Sequence, residues 1–217
     1  MSKSPGMLHK SLVHTIVESL EERVLSGELK PGERLTELDM CRLLDVSRSP
    51  LREAFRILEN NGFLVNRARR GVFVSTLSRK EAIDIYTIRA SLESLAVSLA
   101  VEAHGKELSR ELEEVHEEMK RAVSINDLDS YSTINSSFHE KLISACGNEL
   151  LIEMLRRFNM QTARYRVMIR SMKGRPEESI KKHEELLCAI KSGDAALAEK
   201  ISKESILNNI PLIMETL

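Results

Sequence analysis

Apolar positions recur at helical spacing along most of the chain, and one short stretch departs from it. Over residues 9–25, Leu12, Val13, Ile16, Leu20 and Val24 share a face, Glu18, Glu21 and Glu22 lie elsewhere, and Gly27 follows as a stop. The polar lead at 1–6 is expected to fray. Leu29-Lys30-Pro31-Gly32 reads as a turn. Residues 35–44 read as a short helix and Asp45-Val46-Ser47 as a tight turn. The next helix places Leu51, Ala54, Phe55 and Leu58 at i, i+3, i+4 and i+7. The departure is Gly62-Phe63-Leu64-Val65, which begins a short strand. Residues 66–71 form a basic turn and Val72-Phe73-Val74 a return strand, a β-hairpin.

After a linker at 75–78 the helical spacing resumes without a further strand. The pattern predicts six helices at about 79–103, 106–124, 127–145, 148–172, 176–192 and 194–215. They are separated at Gly105, Asn126, Gly147-Asn148, Gly174-Arg175-Pro176 and Gly193-Asp194. Ser78 caps the first of them, with Glu81 completing a capping box. Short breaks between long helices imply antiparallel neighbours. The fold class is therefore mainly α: a winged helix-turn-helix over 1–76 and an all-α antiparallel bundle over 79–217.

The winged reading of the first part rests on where its charge lies. Arg48, Arg52 and Arg56 run down a stripe beside the apolar face of the third helix. Such a stripe suits a helix that enters a DNA groove, its apolar side anchored and its guanidiniums facing phosphates and base edges. A solvated face is the plainer account of the charges alone. The flanking elements decide, because helix, short turn and Arg-bearing helix is the helix-turn-helix order, and the hairpin with its cationic tip is a wing. Ser47 or Ser49 can cap the third helix, and Pro50 fits an early helical position. On this reading Arg48 and Arg52 read bases and Arg56 reaches a phosphate. Arg69 and Arg70, with Gly71 permitting close approach, enter the minor groove or grip its edge. Ser47, Ser49 and Arg34 contact phosphates.

Composition changes this picture in one respect. The 217-residue chain has 30% charged and 42% apolar residues and a net charge of −1, which gives no sign of a nucleic-acid partner. Residues 1–78, however, hold 12 basic against 10 acidic residues, and between Ser47 and Gly71 six arginines face only Glu53 and Glu59. The positive charge is local to the motif. Cys41, Cys146 and Cys188 are scattered through helical patterns and are expected to be buried thiols of a reducing cytosol. No signal peptide and no membrane-length apolar run is visible, so a cytoplasmic protein without a membrane partner is expected. No tryptophan and only 4% aromatics argue against single-strand binding by stacking.

The run PGERL…LLDVSRSPLREAFRILENNGFLVNRARRGVFV resembles the winged helix-turn-helix of the GntR family of bacterial transcription regulators over about residues 8–76. Further on, IYTIRASLESLAVSLA, FHEKLISACGNELLIEML and KKHEELLCAIKSGDAALAE resemble the FCD ligand-binding domain of the FadR branch, in its six-helix, VanR-like version. The resemblance implies a homodimer on a palindromic operator in double-stranded DNA, and a small organic effector, often a carboxylate, inside the bundle. It implies repression relieved by ligand, although nothing in the residues fixes the sign.

It also implies a cavity where many members hold a divalent ion such as Zn or Ni on an Asp, a His one turn later and two further His. The matching positions here are Asn135, His139, His183 and Ser205. The carboxylate and one imidazole are thus lost. An Asn amide oxygen and two imidazoles make a weaker set than the His-plus-carboxylate shell that zinc-like ions favour. Asn135, His139 and His183 either hold a metal, donate hydrogen bonds to an organic ligand, or are core residues. Arg89 is the other candidate: it either pairs with Glu93 one turn on, or anchors a ligand carboxylate. Two rivals stand beside a ligand-responsive regulator. One is a constitutive dimeric DNA-binding protein with a degenerate effector site. The other is a metal-dependent enzyme using His139 and His183, against which no H-E-x-x-H, nucleophile elbow or phosphate loop is found.

Overall fold

The computed structural model describes residues 11–217, and the chain divides into two compact units after Thr76. The expected helix start at His9 and the lead at 1–6 lie outside the described residues.

In the first unit, α1 (Leu12–Ser26) starts where the Ser11 hydroxyl accepts the His14 N–H. It ends at Gly27, whose φ of 82° is the left-handed conformation that a residue without Cβ adopts freely. Its buried residues Ile16, Val17, Leu20 and Val24 pack toward α3 (Arg48–Asn60), which buries Leu51, Ala54, Phe55 and Leu58. Between them lie β1 (Arg34–Leu35) and α2 (Glu37–Leu44), the latter capped by Thr36. β2 (Leu64–Arg67) and β3 (Gly71–Val74) form the hairpin, and β1 pairs antiparallel with the other side of β3, giving the order β1-β3-β2. The sequence pattern gave no sign of β1, because two residues are too few to show alternation. β2 also extends further than expected. Asn66 and Arg67 pair with Val72 and Gly71, so the turn is only Ala68-Arg69-Arg70, with Arg69 at φ 61°.

The second unit is all helix: α4 (Arg79–Ser124), α5 (Leu128–Ser144), α6 (Glu149–Arg170), α7 (Arg175–Ser192), α8 (Ala195–Leu207) and α9 (Ile210–Thr216). Ser78 and Glu81 form the expected capping box at the head of α4. The expected break at Gly105 is instead a bend within α4. Only His104 leaves helical geometry, at φ −139° and ψ 17°, and a Cβ on Gly105 would stand 3.3 Å from the Ile190 carbonyl oxygen. The last expected helix is divided after Leu207, and Pro211 sits in the first turn of α9, where its missing N–H costs nothing. α4 packs against α5, α7 and α8 around a core that includes Leu112, Met119, Phe138, Leu142, Leu155 and Ile190. A second apolar cluster gathers Tyr86, Tyr165, Ile169, Ile206 and Ile213.

One expectation about side chains is corrected here. Only Cys146 is buried; Cys41 is half-buried and Cys188 exposed, because Cys188 lies off the core face that carries Leu186, Leu187, Ala189 and Ile190. On α4 the apolar residues do not all face inward. Thr87, Ile88, Ser91 and Leu95 form an exposed face with no charged residue among them.

Candidate functional site

The first candidate surface is built on α3 and the wing. Ser47 occupies the N-cap position of α3, but its hydroxyl makes no cap bond. The reason is local. At α1, α2, α4, α5, α6 and α8 the cap side chain accepts the N–H of the residue three positions on, and in α3 that residue is Pro50, which has none. Neither serine therefore caps by its side chain. The Ser47 hydroxyl is not engaged by its own helix.

Along α3, Arg48, Arg52 and Arg56 are exposed. Arg52 is not free: its Nε and Nη2 donate to the two Glu37 carboxylate oxygens at 2.6 and 2.9 Å, a fork across the turn between α2 and α3. That hydrogen bonding holds the Glu37 carboxyl below its usual value. On the wing, the Arg34 guanidinium lies against the start of β3, with its Nε 3.4 Å from where a Gly71 Cβ would stand. A side chain at Gly71 would also have to adopt φ 99°. Arg67 stacks over the Phe73 ring at 4.8 Å, and Arg69 and Arg70 project from the turn.

The second candidate is a cavity of about 100 Å³ inside the bundle, lined by residues of α4 to α8 and the segment after α8. At about 10–15 Å³ per water it has room for a molecule of roughly seven to ten non-hydrogen atoms. Four of its residues form a chain. Arg89 donates to Glu93 at 3.1 Å, both almost fully buried, and its guanidinium lies 5.0 Å from the centre of the Tyr86 ring. The other Glu93 oxygen is 3.4 Å from His139 Nδ1, and His139 Nε2 is 3.3 Å from His183 Nε2. Burial pushes the Glu93 carboxyl up, but the His139 hydrogen bond and the Arg89 charge prevail and hold it at about 2. Burial pushes both imidazoles down, His183 well below its usual value, with the charges of His139, His116 and Arg170 adding to the effect.

All five sequence-predicted effector residues, Arg89, Asn135, His139, His183 and Ser205, line this one cavity. Arg89 is paired with Glu93 and also lines the cavity. Sequence reasoning missed Arg166 and Arg170 on α6, Tyr131 on α5, and Arg175 and Lys182 on α7, which line it as well.

The fit of a metal ion turns on three donors. The two Nε2 atoms stand 3.3 Å apart. That is about the separation of two nitrogens on one tetrahedral zinc with Zn–N of ~2.0–2.1 Å. Asn135 Oδ1 is buried without a hydrogen-bond partner, and Glu93 backs His139 Nδ1 as a carboxylate backs a metal-ligating histidine. No three His, Cys, Asp or Glu side chains gather as ligands among the described residues, so an ion would depend on the neutral Asn135 oxygen.

A head with an arginine-bearing helix and a wing, in one chain with a helical domain that holds a polar cavity, is the architecture of a transcription regulator. The comparisons with known proteins give the family. Residues 12–74 match the family described as bacterial regulatory proteins, gntR family, and residues 84–208 match the FCD domain. The chain is 31% identical to the uncharacterized HTH-type transcriptional regulator YdhC of Bacillus subtilis over 83% of this chain and 81% of that protein. It is 27% identical to the HTH-type transcriptional repressor GlaR of Escherichia coli over 91% of this chain and 94% of that protein. The solved structure of E. coli McbR/YncC superposes with a TM-score of 0.78 at 25% identity, covering 95% of this chain and 99% of that one. The chain belongs to the GntR family, with a C-terminal FCD domain, and is a transcription regulator rather than an enzyme. Among the described residues no helix is long and apolar enough to cross a membrane.

Proposed function

We propose that this protein is a cytoplasmic repressor that binds a palindromic operator as a homodimer and releases it when a small organic acid enters the bundle cavity. The observation that carries the effector half is the cavity itself. It is of metabolite size, is lined by five cationic side chains and only two carboxylates, and holds two guanidiniums, Arg166 and Arg170, that make no ion-pair contact with a carboxylate. An anion is the ligand such a chamber stabilises. The exposed, charge-free face of Thr87, Ile88, Ser91 and Leu95 on α4 supports a dimer contact there, and a two-fold dimer matches two half-sites. By linkage, ligand and operator must change each other's affinity by the same factor.

The test is operator binding by the full chain in a gel-shift series, with small carboxylates added one at a time. A carboxylate that weakens operator binding by tenfold or more supports the reading. Ligands that bind the bundle and leave operator affinity unchanged would instead make this a constitutive DNA-binding protein.

The 3.3 Å spacing of His139 and His183 favours a second reading, in which Asn135, His139 and His183 also hold a divalent ion such as Zn or Ni that takes an oxygen of the effector. Elemental analysis of protein prepared without chelators tests it. Near one ion per chain supports it, and loss of the ion in His183→Ala assigns it to this cavity. No ion leaves recognition to the arginines.

A further inference from the structure

Five cations face the cavity, and they are not equivalent. Arg89 is matched by Glu93, Arg175 by Glu178 at 2.6 Å, and Lys182 by Glu185 at 2.7 Å. Arg170 has only neutral partners, the Ser132 carbonyl and hydroxyl at 3.2 and 3.3 Å and the Ser136 hydroxyl at 2.9 Å. Arg166 makes no hydrogen bond or ion pair among the described residues. The two stand four residues apart on α6, so they are stacked one turn above the other on the same face. Tyr131 and Ser179 line the same cavity and can add hydroxyl donors.

The two guanidiniums are half-buried at the cavity wall, no carboxylate is in ion-pair contact with either although the Glu93 charge acts on both at longer range, and like charges one turn apart repel. Burial, then each other's charge and that of Arg89, pushes Arg166 down to about 9, and burial pushes Arg170 down as well. Both stay charged at neutral pH. Arg170 ties α6 to α5 through Ser132 and Ser136, but Arg166 closes no hydrogen bond or ion pair to another helix, so the fold gains no contact from its charge. Residues kept in a state that only a ligand relieves are binding residues.

We propose that Arg166 and Arg170 form a two-guanidinium seat and that the effector is a compact dianion, carrying two carboxylates or one doubly charged oxyanion group. This rests on the reading of the bundle cavity as the effector site. It differs from that reading in assigning the charge count of the effector and the residues that set it, and it holds whether or not a metal ion sits on the histidines. One negative charge leaves one guanidinium unrelieved, whereas two match the pair.

The experiment uses the full chain, with thermal unfolding and calorimetric titration at constant ionic strength, with and without chelator. The probes are succinate, malate and inorganic phosphate as dianions, against butyrate and lactate as monoanions. Dianions are expected to bind about ten- to hundredfold more tightly than monoanions of like size, the worth of one further charge-assisted hydrogen-bonded contact. Arg166→Gln and Arg170→Gln should each erase that difference. Arg166→Gln should also raise the melting temperature of the ligand-free protein, because it relieves a like-charge repulsion without removing a hydrogen bond, whereas Arg170→Gln also removes the bonds to Ser132 and Ser136; a structural role for Arg166 would lower it. Equal binding of mono- and dianions, or a lowered melting temperature in Arg166→Gln, overturns the proposal while leaving an anionic effector standing. Failure of every probe of either charge to bind overturns the proposal and the organic-acid reading together.

Discussion

Replacing Arg89 by Met isolates what the buried pair at the centre of the cavity wall contributes. Arg89 and Glu93 are 4% and 3% exposed and joined at 3.1 Å. Removing the arginine leaves the Glu93 carboxylate buried with His139 at 3.4 Å as its one contact and the Arg166 charge acting from further off. Breaking a buried pair from one side costs about 3–5 kcal/mol. At about 2–4 °C of melting temperature per kcal/mol for chains of this size, the single variant should melt some 6–20 °C lower. Glu93→Met should cost as much or more, because it strands Arg89 beside Arg166 and Arg170, charges that already act on one another. The double variant Arg89→Met/Glu93→Met should recover most of the loss, since an apolar pair of like volume is close to neutral in place of a buried ion pair. Urea unfolding of the four proteins at pH 7, read by far-UV circular dichroism, gives the cycle. The reasoning is refuted if Arg89→Met stays within about 0.5 kcal/mol of the parent, or if the double variant is as unstable as the sum of the two singles. Full stability with loss of ligand response would make Arg89 a ligand anchor and nothing more.

Other expectations can be checked separately. Arg52→Ala should lose about ten- to hundredfold of the preference for operator over random DNA in competition binding; a uniform loss on all sequences would make Arg52 a phosphate contact. For His183 the folded-state pKa lies below the unfolded value of about 6.5, so the unfolded chain binds the proton first and stability falls as pH drops below about 6.5. Urea unfolding between pH 7.5 and 5.5 should show that slope, at most about 1.4 kcal/mol per pH unit for this one group, and His183→Asn should flatten it; an unchanged slope would count against a neutral, buried His183. Ser78→Ala removes the capping box of α4 and should cost about 0.5–2 kcal/mol in the same assay; no measurable change would mean that the end of α4 is held by packing alone.

How far the sequence carried can be argued from particular residues. The winged head was legible because its chemistry is local. Periodicity set α1, α2 and α3, while the arginine run and Gly71 marked the wing. What escaped there were β1 and the Glu37–Arg52 fork, both of which depend on segments that meet only in the folded unit. In the bundle most helices were legible from their punctuation, but the break expected at Gly105 is a bend at His104 within one continuous helix. The cavity was half legible. Asn135, His139, His183 and Ser205 came from the family resemblance and Arg89 from its place in an apolar helical stretch, and the fold brings all five to one chamber. Arg166 and Arg170 did not stand out, because α6 carries five arginines that look alike in sequence. Arg156 reaches Glu140 on the surface, whereas Arg166 and Arg170 turn into the chamber, and no local pattern separates the two cases.

The fork between Glu37 and Arg52 bears on how the protein behaves on DNA that is not its operator. A DNA-binding surface gains affinity for any duplex by releasing the small cations condensed on phosphates, one for roughly each positive charge it brings. Arg52 already carries its own counter-anion, so on arbitrary sequence it releases little and contributes little. Only a base edge that offers acceptors to the remaining N–H groups draws full value from it. If Arg52 reads a base, Glu37 would lower the background attraction to bulk DNA more than the attraction to the matched site, and would flatten the dependence of binding on salt. A regulator with few target sites among millions of competing ones gains more from that subtraction than from another unit of affinity.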